Sequence, residues 1–160
     1  MIILAFLAMP FSTFAQAGKE NFAGSWVFNA EKSQMGQPPQ GQGQRMGGFG
    51  GGNFDVKQEA NLMTVNRTRG DQVVTSKYTL DGKESINTTG QGESKSVASW
   101  SADGKTLTIV TTRTFERDGQ SRTMKTTEEW SLTDASTLSI KSTRTSPNGD
   151  RVTAAVYNKK

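Results

Sequence analysis

Cysteine and histidine are both absent from the 160 residues. Their absence excludes disulfides, the usual zinc sites, cysteine and serine–histidine nucleophile systems and a histidine general base. Proline occurs only 4 times, and aromatic residues make up 8% of the chain. Long apolar runs are confined to the beginning, where 13 of the first 17 residues are apolar and none is charged. Beyond them, Leu, Ile, Val and Phe supply 22 of the 143 residues from Gly18 onward, enough only for a thin core. Nineteen threonines add further β-branched side chains, and the net charge of +4 is too modest to favour an unfolded chain. A single threonine-rich all-β domain is the expectation.

The apolar stretch from Ile2 to Met9, followed by Ala15-Gln16-Ala17, has the pattern of a secretory signal peptide over residues 1–17. Cleavage after Ala17 leaves a mature domain of residues 18–160. The alternative is a membrane anchor, but the run is shorter than the ~20 residues a spanning helix needs, and Pro10 interrupts it. No cysteine follows the cleavage site to accept a lipid. A periplasmic or extracellular protein without membrane insertion is expected.

From Phe54 onward, turn signals recur at short intervals, and four of them are the Asp-Gly or Asn-Gly pairs of tight hairpins: Asp81-Gly82, Asp103-Gly104, Asp118-Gly119 and Asn148-Gly149. The segments between them alternate, as in Leu107-x-Ile109 and Leu138-x-Ile140, and helical periodicity is absent. Strands are predicted over 24–31, 54–59, 62–69, 72–80, 83–89, 93–101, 105–117, 120–132, 137–145 and 151–158. With one apolar face per strand and no covering helix, this meander must close into a barrel or fold into two packed sheets; closure also removes exposed edges. A membrane barrel needs an apolar outer band with aromatic girdles, whereas these strands carry Thr, Ser, Lys or Glu on one face. The expected fold is a single antiparallel up-and-down barrel of about eight to ten strands. The Gly- and Gln-rich connection 34–53, with Pro38-Pro39, breaks the spacing and is expected to be flexible.

The first strand reads Asn21-Phe-Ala-Gly24-Ser-Trp26-Val-Phe28, which resembles the Gly-x-Trp opening of the calycin superfamily, the lipocalins and fatty-acid-binding proteins. A long connection follows, then a hairpin meander, then a closing segment from Arg151 through Tyr157. The resemblance implies a lipocalin-like cup in which Gly24 permits close backbone approach and Trp26 plugs the floor. It also implies a basic side chain over that tryptophan, with Arg151 or Lys159 as candidates. Fatty-acid-binding proteins carry an Arg-x-Tyr pair on the last strand that fixes the ligand carboxylate. Tyr157 matches its second position, but Ala155 stands at the first.

Strict alternation from Leu107 and Ile109 places Thr111, Arg113 and Phe115 on the inner face. By the same count Arg122, Thr126 and Glu128 accompany Met124 and Trp130, Ser142 and Arg144 accompany Ile140, and Arg67 accompanies Val65. Arginine is costly to bury unpaired, so an interior lined by Arg67, Arg113, Arg122, Arg144 and Glu128 should pair, stay wet or meet an anion. Tyr78, Trp100 and Trp130 are candidates to line the same cavity, with simple core packing as the alternative. A bulge at Val110 would reverse the face assignment beyond it.

No acid/base or nucleophile constellation is legible, and Glu128-Glu129, adjacent on a strand, face opposite sides. Gly47 to Gly52 lack the Gly-Lys-Ser/Thr of a phosphate loop. Arg69-Gly70-Asp71 is explained by a tight turn rather than by adhesion. Basic residues alternate with acidic ones instead of clustering, which argues against nucleic acid. The expected function is non-enzymatic carriage or sensing of a small hydrophobic, amphipathic or anionic molecule, with no cofactor and no metal. The alternative is a structural or interaction barrel filled by its own side chains. N-terminal sequencing of the exported protein should find Gly18 first; retention of residues 2 to 14 would replace the signal peptide with an anchor.

Overall fold

A computed structural model describes residues 18–35, 51–89, 92–145 and 149–160. The predicted signal peptide and most of the Gly/Gln-rich connection lie outside these residues. Ten antiparallel strands follow one another: β1 (Gly24–Gln34), β2 (Phe54–Gln58), β3 (Leu62–Arg69), β4 (Gln72–Thr79), β5 (Glu84–Thr89), β6 (Gly92–Trp100), β7 (Thr106–Arg117), β8 (Gln120–Asp134), β9 (Thr137–Thr145) and β10 (Arg151–Lys159). No helix occurs among the described residues. In the sheet order β4-β3-β2-β1-β10-β9-β8-β7-β6-β5, every ladder joins consecutive strands except that of β1 with β10, and β4 and β5 are the two ends. The meander is thus a nearly closed up-and-down barrel.

Local chemistry sets the hairpins. At β7–β8, Asp118 and Gly119 have φ of 54° and 72°, the left-handed pair that a type I′ turn requires. Arg117 consequently pairs with Gln120, and the ladder runs without a shift back to Thr106 and Ser131. Val110 therefore introduces no bulge, and every side chain from Leu107 to Phe115 keeps its face. Register shifts occur instead between Asn29 and Gln34 of β1 and between Leu132 and Asp134 of β8, where the strands run past their predicted ends. At Arg69-Gly70-Asp71, Gly70 adopts φ 59° and Arg69 pairs with Gln72, so Gly70-Asp71 forms a two-residue hairpin turn after the last residue of β3.

The two free edges, β4 and β5, are joined by side chains in place of a backbone ladder. The Lys77 amide donates to Asn87 Oδ1 at 2.7 Å while Asn87 Nδ2 donates to the Lys77 carbonyl at 3.0 Å. Two residues along, the Thr79 amide donates to Ser85 Oγ at 2.8 Å. These bonds satisfy edge groups that would otherwise offer a template for another strand.

Trp26 closes one end of the barrel. Its ring is 1% exposed, and its Nε1 donates to the Phe22 carbonyl at 2.8 Å. Phe22 is held beneath the barrel by Gln58, whose Oε1 accepts from the Phe22 amide and whose Nε2 donates to the Glu20 carbonyl. Lys159, rather than Arg151, covers Trp26, with Nζ 5.6 Å from the ring. Gly24 has φ +144°, and a Cβ there would lie 2.6 Å from Lys159 Cε. Only glycine combines that backbone conformation with the room the lysine stem needs. Trp26→Ala should lower unfolding free energy by about 3 to 5 kcal/mol in chemical denaturation, since a fully buried indole is lost. A loss under about 1 kcal/mol would show that the ring does not anchor the floor.

Candidate functional site

Cross-strand register arranges the inner face of β6 to β10 in rows of rising polarity. On the floor side lie Leu132, Leu138 and Tyr157, followed by the row Trp100, Leu107, Trp130, Ile140 and Ala155; the next row is Ala98, Ile109, Glu128, Ser142 and Thr153. Beyond it come Ser96, Thr111, Thr126, Arg144 and Arg151, and then Ser94, Arg113 and Met124. One end is thus a dry aromatic core, and the other presents guanidinium and hydroxyl groups. Ser96 Oγ and Thr111 Oγ1 lie 2.9 Å apart in the polar row. Val74, Phe115 and Met124, on the inner face near this end, are only half-buried.

Where the two regimes meet, four polar side chains converge from four strands. Arg67 of β3 stands directly across the ladder from Phe54, with its guanidinium carbon 4.9 Å from that ring and 5.8 Å from the Trp130 ring. Such placement over aromatic faces suits a planar cation. Arg67 Nη2 is 3.9 Å from Glu128 Oε1, an ion pair longer than a hydrogen bond. Glu128 Oε2 accepts from Trp130 Nε1 at 3.2 Å. The Tyr157 and Tyr78 phenols lie within electrostatic reach of both Arg67, which favours their ionised form, and Glu128, which opposes it.

Burial is the first cause of the shift at both phenols. It pushes the Tyr157 phenol up to about 12; the Glu128 carboxylate adds to the effect, and Arg67 opposes it. Tyr78 is raised for the same first cause, reinforced by Glu128. Arg144 is lowered by burial and then by Arg151, its neighbour across the ladder. Both tyrosines remain protonated at neutral pH and can serve as hydrogen-bond donors.

Of the residues singled out from the sequence, Arg67, Glu128, Tyr78 and Trp130 come together. Arg113 and Arg144 stand half-buried on the inner face toward the polar end. Arg122 does not join them: opposite Phe115 and close to the β7–β8 turn, it is exposed. Trp100 belongs to the floor, stacked on Phe22 with centroids 5.7 Å apart and with Lys19 Nζ 5.9 Å above its ring. Arg151 lies far from Trp26 and donates to the Met35 carbonyl at 3.1 Å. Sequence reasoning left Phe54 and Tyr157 out of the candidate site. Counting back from the Ala60-Asn61 turn pairs Phe54 with Arg67, whereas the contact of Tyr157 with Arg67 joins strands distant in the chain and has no local signal.

No family model and no curated protein matches the chain. Solved structures do. The zebrafish ileal bile acid-binding protein complexed with cholic acid superposes with a TM-score of 0.62 at 21% identity, over 87% of this chain and 98% of that one. The REP1-NXSQ fatty acid transporter gives 0.60 at 14% identity, over 86% and 95%. With the strand order above, these likenesses establish a calycin-like β-barrel fold.

Raising the pH should expose the Tyr157 contribution. The folded phenol titrates above its ordinary value of about 10, so its stabilising effect is complete below pH 10 and disappears as pH rises through about 12. The unfolded chain releases its proton first in that interval, which amounts to about 2 to 3 kcal/mol. Denaturation midpoints measured from about pH 9 to 12 should fall more steeply for the wild type than for Tyr157→Phe. Parallel curves would show that the phenol is hydrated.

Proposed function

We propose that this barrel binds a small amphipathic anion as a non-enzymatic carrier or sensor. The observation that carries this reading is the inner-face polarity gradient with Arg67 and Tyr157 at its boundary. On that face, Arg67, Arg113 and Arg144 outnumber Glu128, the one carboxylate among the described inward positions. In a low-dielectric enclosure this excess attracts an anion. The ligand's charged head would accept from Arg67 and Tyr157, while its hydrocarbon lies against half-buried Val74, Phe115 and Met124. Arg67 thereby supplies from β3 the guanidinium that Ala155 leaves missing on β10. The solved neighbours, described as a bile acid-binding protein and a fatty acid transporter, agree with a carrier. The early apolar run and Ala15-Gln16-Ala17 support action outside the cytoplasm.

The second reading, a self-filled structural barrel, draws on the fully buried Met63, Val65, Leu107, Ile109 and Leu138 toward the floor. The two readings separate on charge preference. A long-chain alkyl sulfonate should bind more tightly than the matching alcohol, and Arg67→Met should weaken the sulfonate by roughly 1.5 to 3 kcal/mol with little effect on the alcohol. Arg144→Met should weaken it in the same direction, because a cation on the inner face is removed. Equal and negligible binding of both probes would favour the self-filled barrel.

A further inference from the structure

Glu128 stands where an anion on Arg67 would be least welcome. Its Oε1 faces the guanidinium at 3.9 Å, its Oε2 is occupied by the Trp130 indole N–H, and it and Arg67 keep only 11% and 17% of their side chains accessible. A ligand anion reaching Arg67 and Tyr157 would therefore lie beside a carboxylate in a poorly solvated interior, where like charges repel strongly. Among the described residues, few other ionisable groups face Glu128. Across its own ladders are Ile109 and Ser142, neither ionisable. Arg67 comes from β3, and the phenols of Tyr78 and Tyr157, both raised by burial, come from β4 and β10. Arg113 and Arg144 stand further toward the polar end, and the chain has no histidine.

We propose that Glu128 is a built-in competitor for the anion position on Arg67, so that an anionic ligand enters together with one proton taken up from solvent at Glu128. This rests on the anion-binding reading above. In the empty barrel the carboxylate neutralises Arg67, which keeps a buried guanidinium from standing unpaired. When the anion arrives, the proton goes to Oε1, the oxygen not engaged by Trp130. The guanidinium then exchanges one anion for another, and the neutral carboxyl can donate to the newcomer. Affinity for anions consequently rises as pH falls, and a neutral ligand gains nothing from acidification.

The test uses 1-anilinonaphthalene-8-sulfonate, whose sulfonate stays ionised throughout, with the domain from Gly18 onward. Wild-type affinity should increase as pH is lowered between about 8 and 5, approaching tenfold per pH unit where a single proton is linked to binding. Glu128→Gln keeps an acceptor for Trp130 Nε1; it should bind about tenfold or more tighter at pH 7.5 and lose most of the pH dependence. Calorimetry of the wild type in two buffers of different ionisation enthalpy reads the proton directly and needs no variant; uptake should approach one proton per probe. Probe binding that Arg67→Met weakens, but without proton uptake and with an unchanged pH slope in Glu128→Gln, would overturn the competitor and leave the Arg67 site standing. Failure of the wild type to bind the probe at any of these pH values would overturn both.

Discussion

The pairing of β1 with β10 is the constraint on which the rest of the molecule depends. Every other ladder joins neighbours in the chain and follows from a short turn, whereas this one brings Trp26 to Lys159 and Phe28 to Tyr157 across most of the sequence. Until it forms, both faces of the alternating strands are solvated, and the thin apolar stripe on one of them is exposed to water. Closure makes that stripe an interior and gives the threonine-rich face to solvent. Gly24, Lys159 and Trp26 are therefore one device: the glycine makes room for the lysine stem, the lysine caps the indole, and the indole fills the floor. The opposite edges, β4 and β5, then meet through Asn87 and Ser85. Ten strands thus close with one backbone junction and one side-chain junction.

Closure also explains why the polar cluster forms where it does. The floor half is occupied by large side chains, with Phe54 edge-on to both Trp130 and Tyr157. Above this layer many inward residues shorten to Ser, Thr and Ala, among apolar Ile109, Val74, Phe115 and Met124 and the charged Arg67, Arg113, Arg144 and Glu128. Arg67, reaching inward from β3, finds the Phe54 and Trp130 faces in place of bulk water. The inner surface is therefore apolar and buried at one end and carries its charged side chains toward the other.

How much of this was legible in the sequence varies with chain distance. The strands and their faces were readable because two-residue turns such as Asp118-Gly119 fix register locally, and alternation then carries it along the strand. Arg67 opposite Phe54 follows from the same counting. The closing pair was suggested only by the Gly-x-Trp opening and its likeness to calycins, because no local rule connects residue 26 with residue 159. For the same reason the sequence does not choose the covering cation between Arg151 and Lys159: both occur on the last strand, and only the closure register places Lys159 over Trp26. Tyr157 reaching Arg67 was invisible because it is set by the shape of the closed barrel. Arg122 and Trp100 lie on the inner parity, yet parity does not say how far along the barrel a residue sits, and each lies away from the polar cluster.

That distinction bears on what the interior charges are for. A domain with few large apolar residues gains little by placing four ionisable groups on its inner face, since an apolar replacement for a buried ion pair is commonly as stable or more so. Surface lysines and glutamates would serve solubility at much smaller desolvation cost. The charges sit where the core gives way to hydroxyls, with a loose Arg67–Glu128 pair in place of a tight bidentate one. A pair built for stability alone would be expected to hold closer and to satisfy its remaining donors within the protein. A guanidinium stacked on aromatics, contacted by a tyrosine and balanced by a carboxylate at 3.9 Å is instead poised to exchange partners. The stability forgone at this boundary is thus concentrated at the one level of the barrel where an anion's head can be recognised while its hydrocarbon remains among apolar side chains.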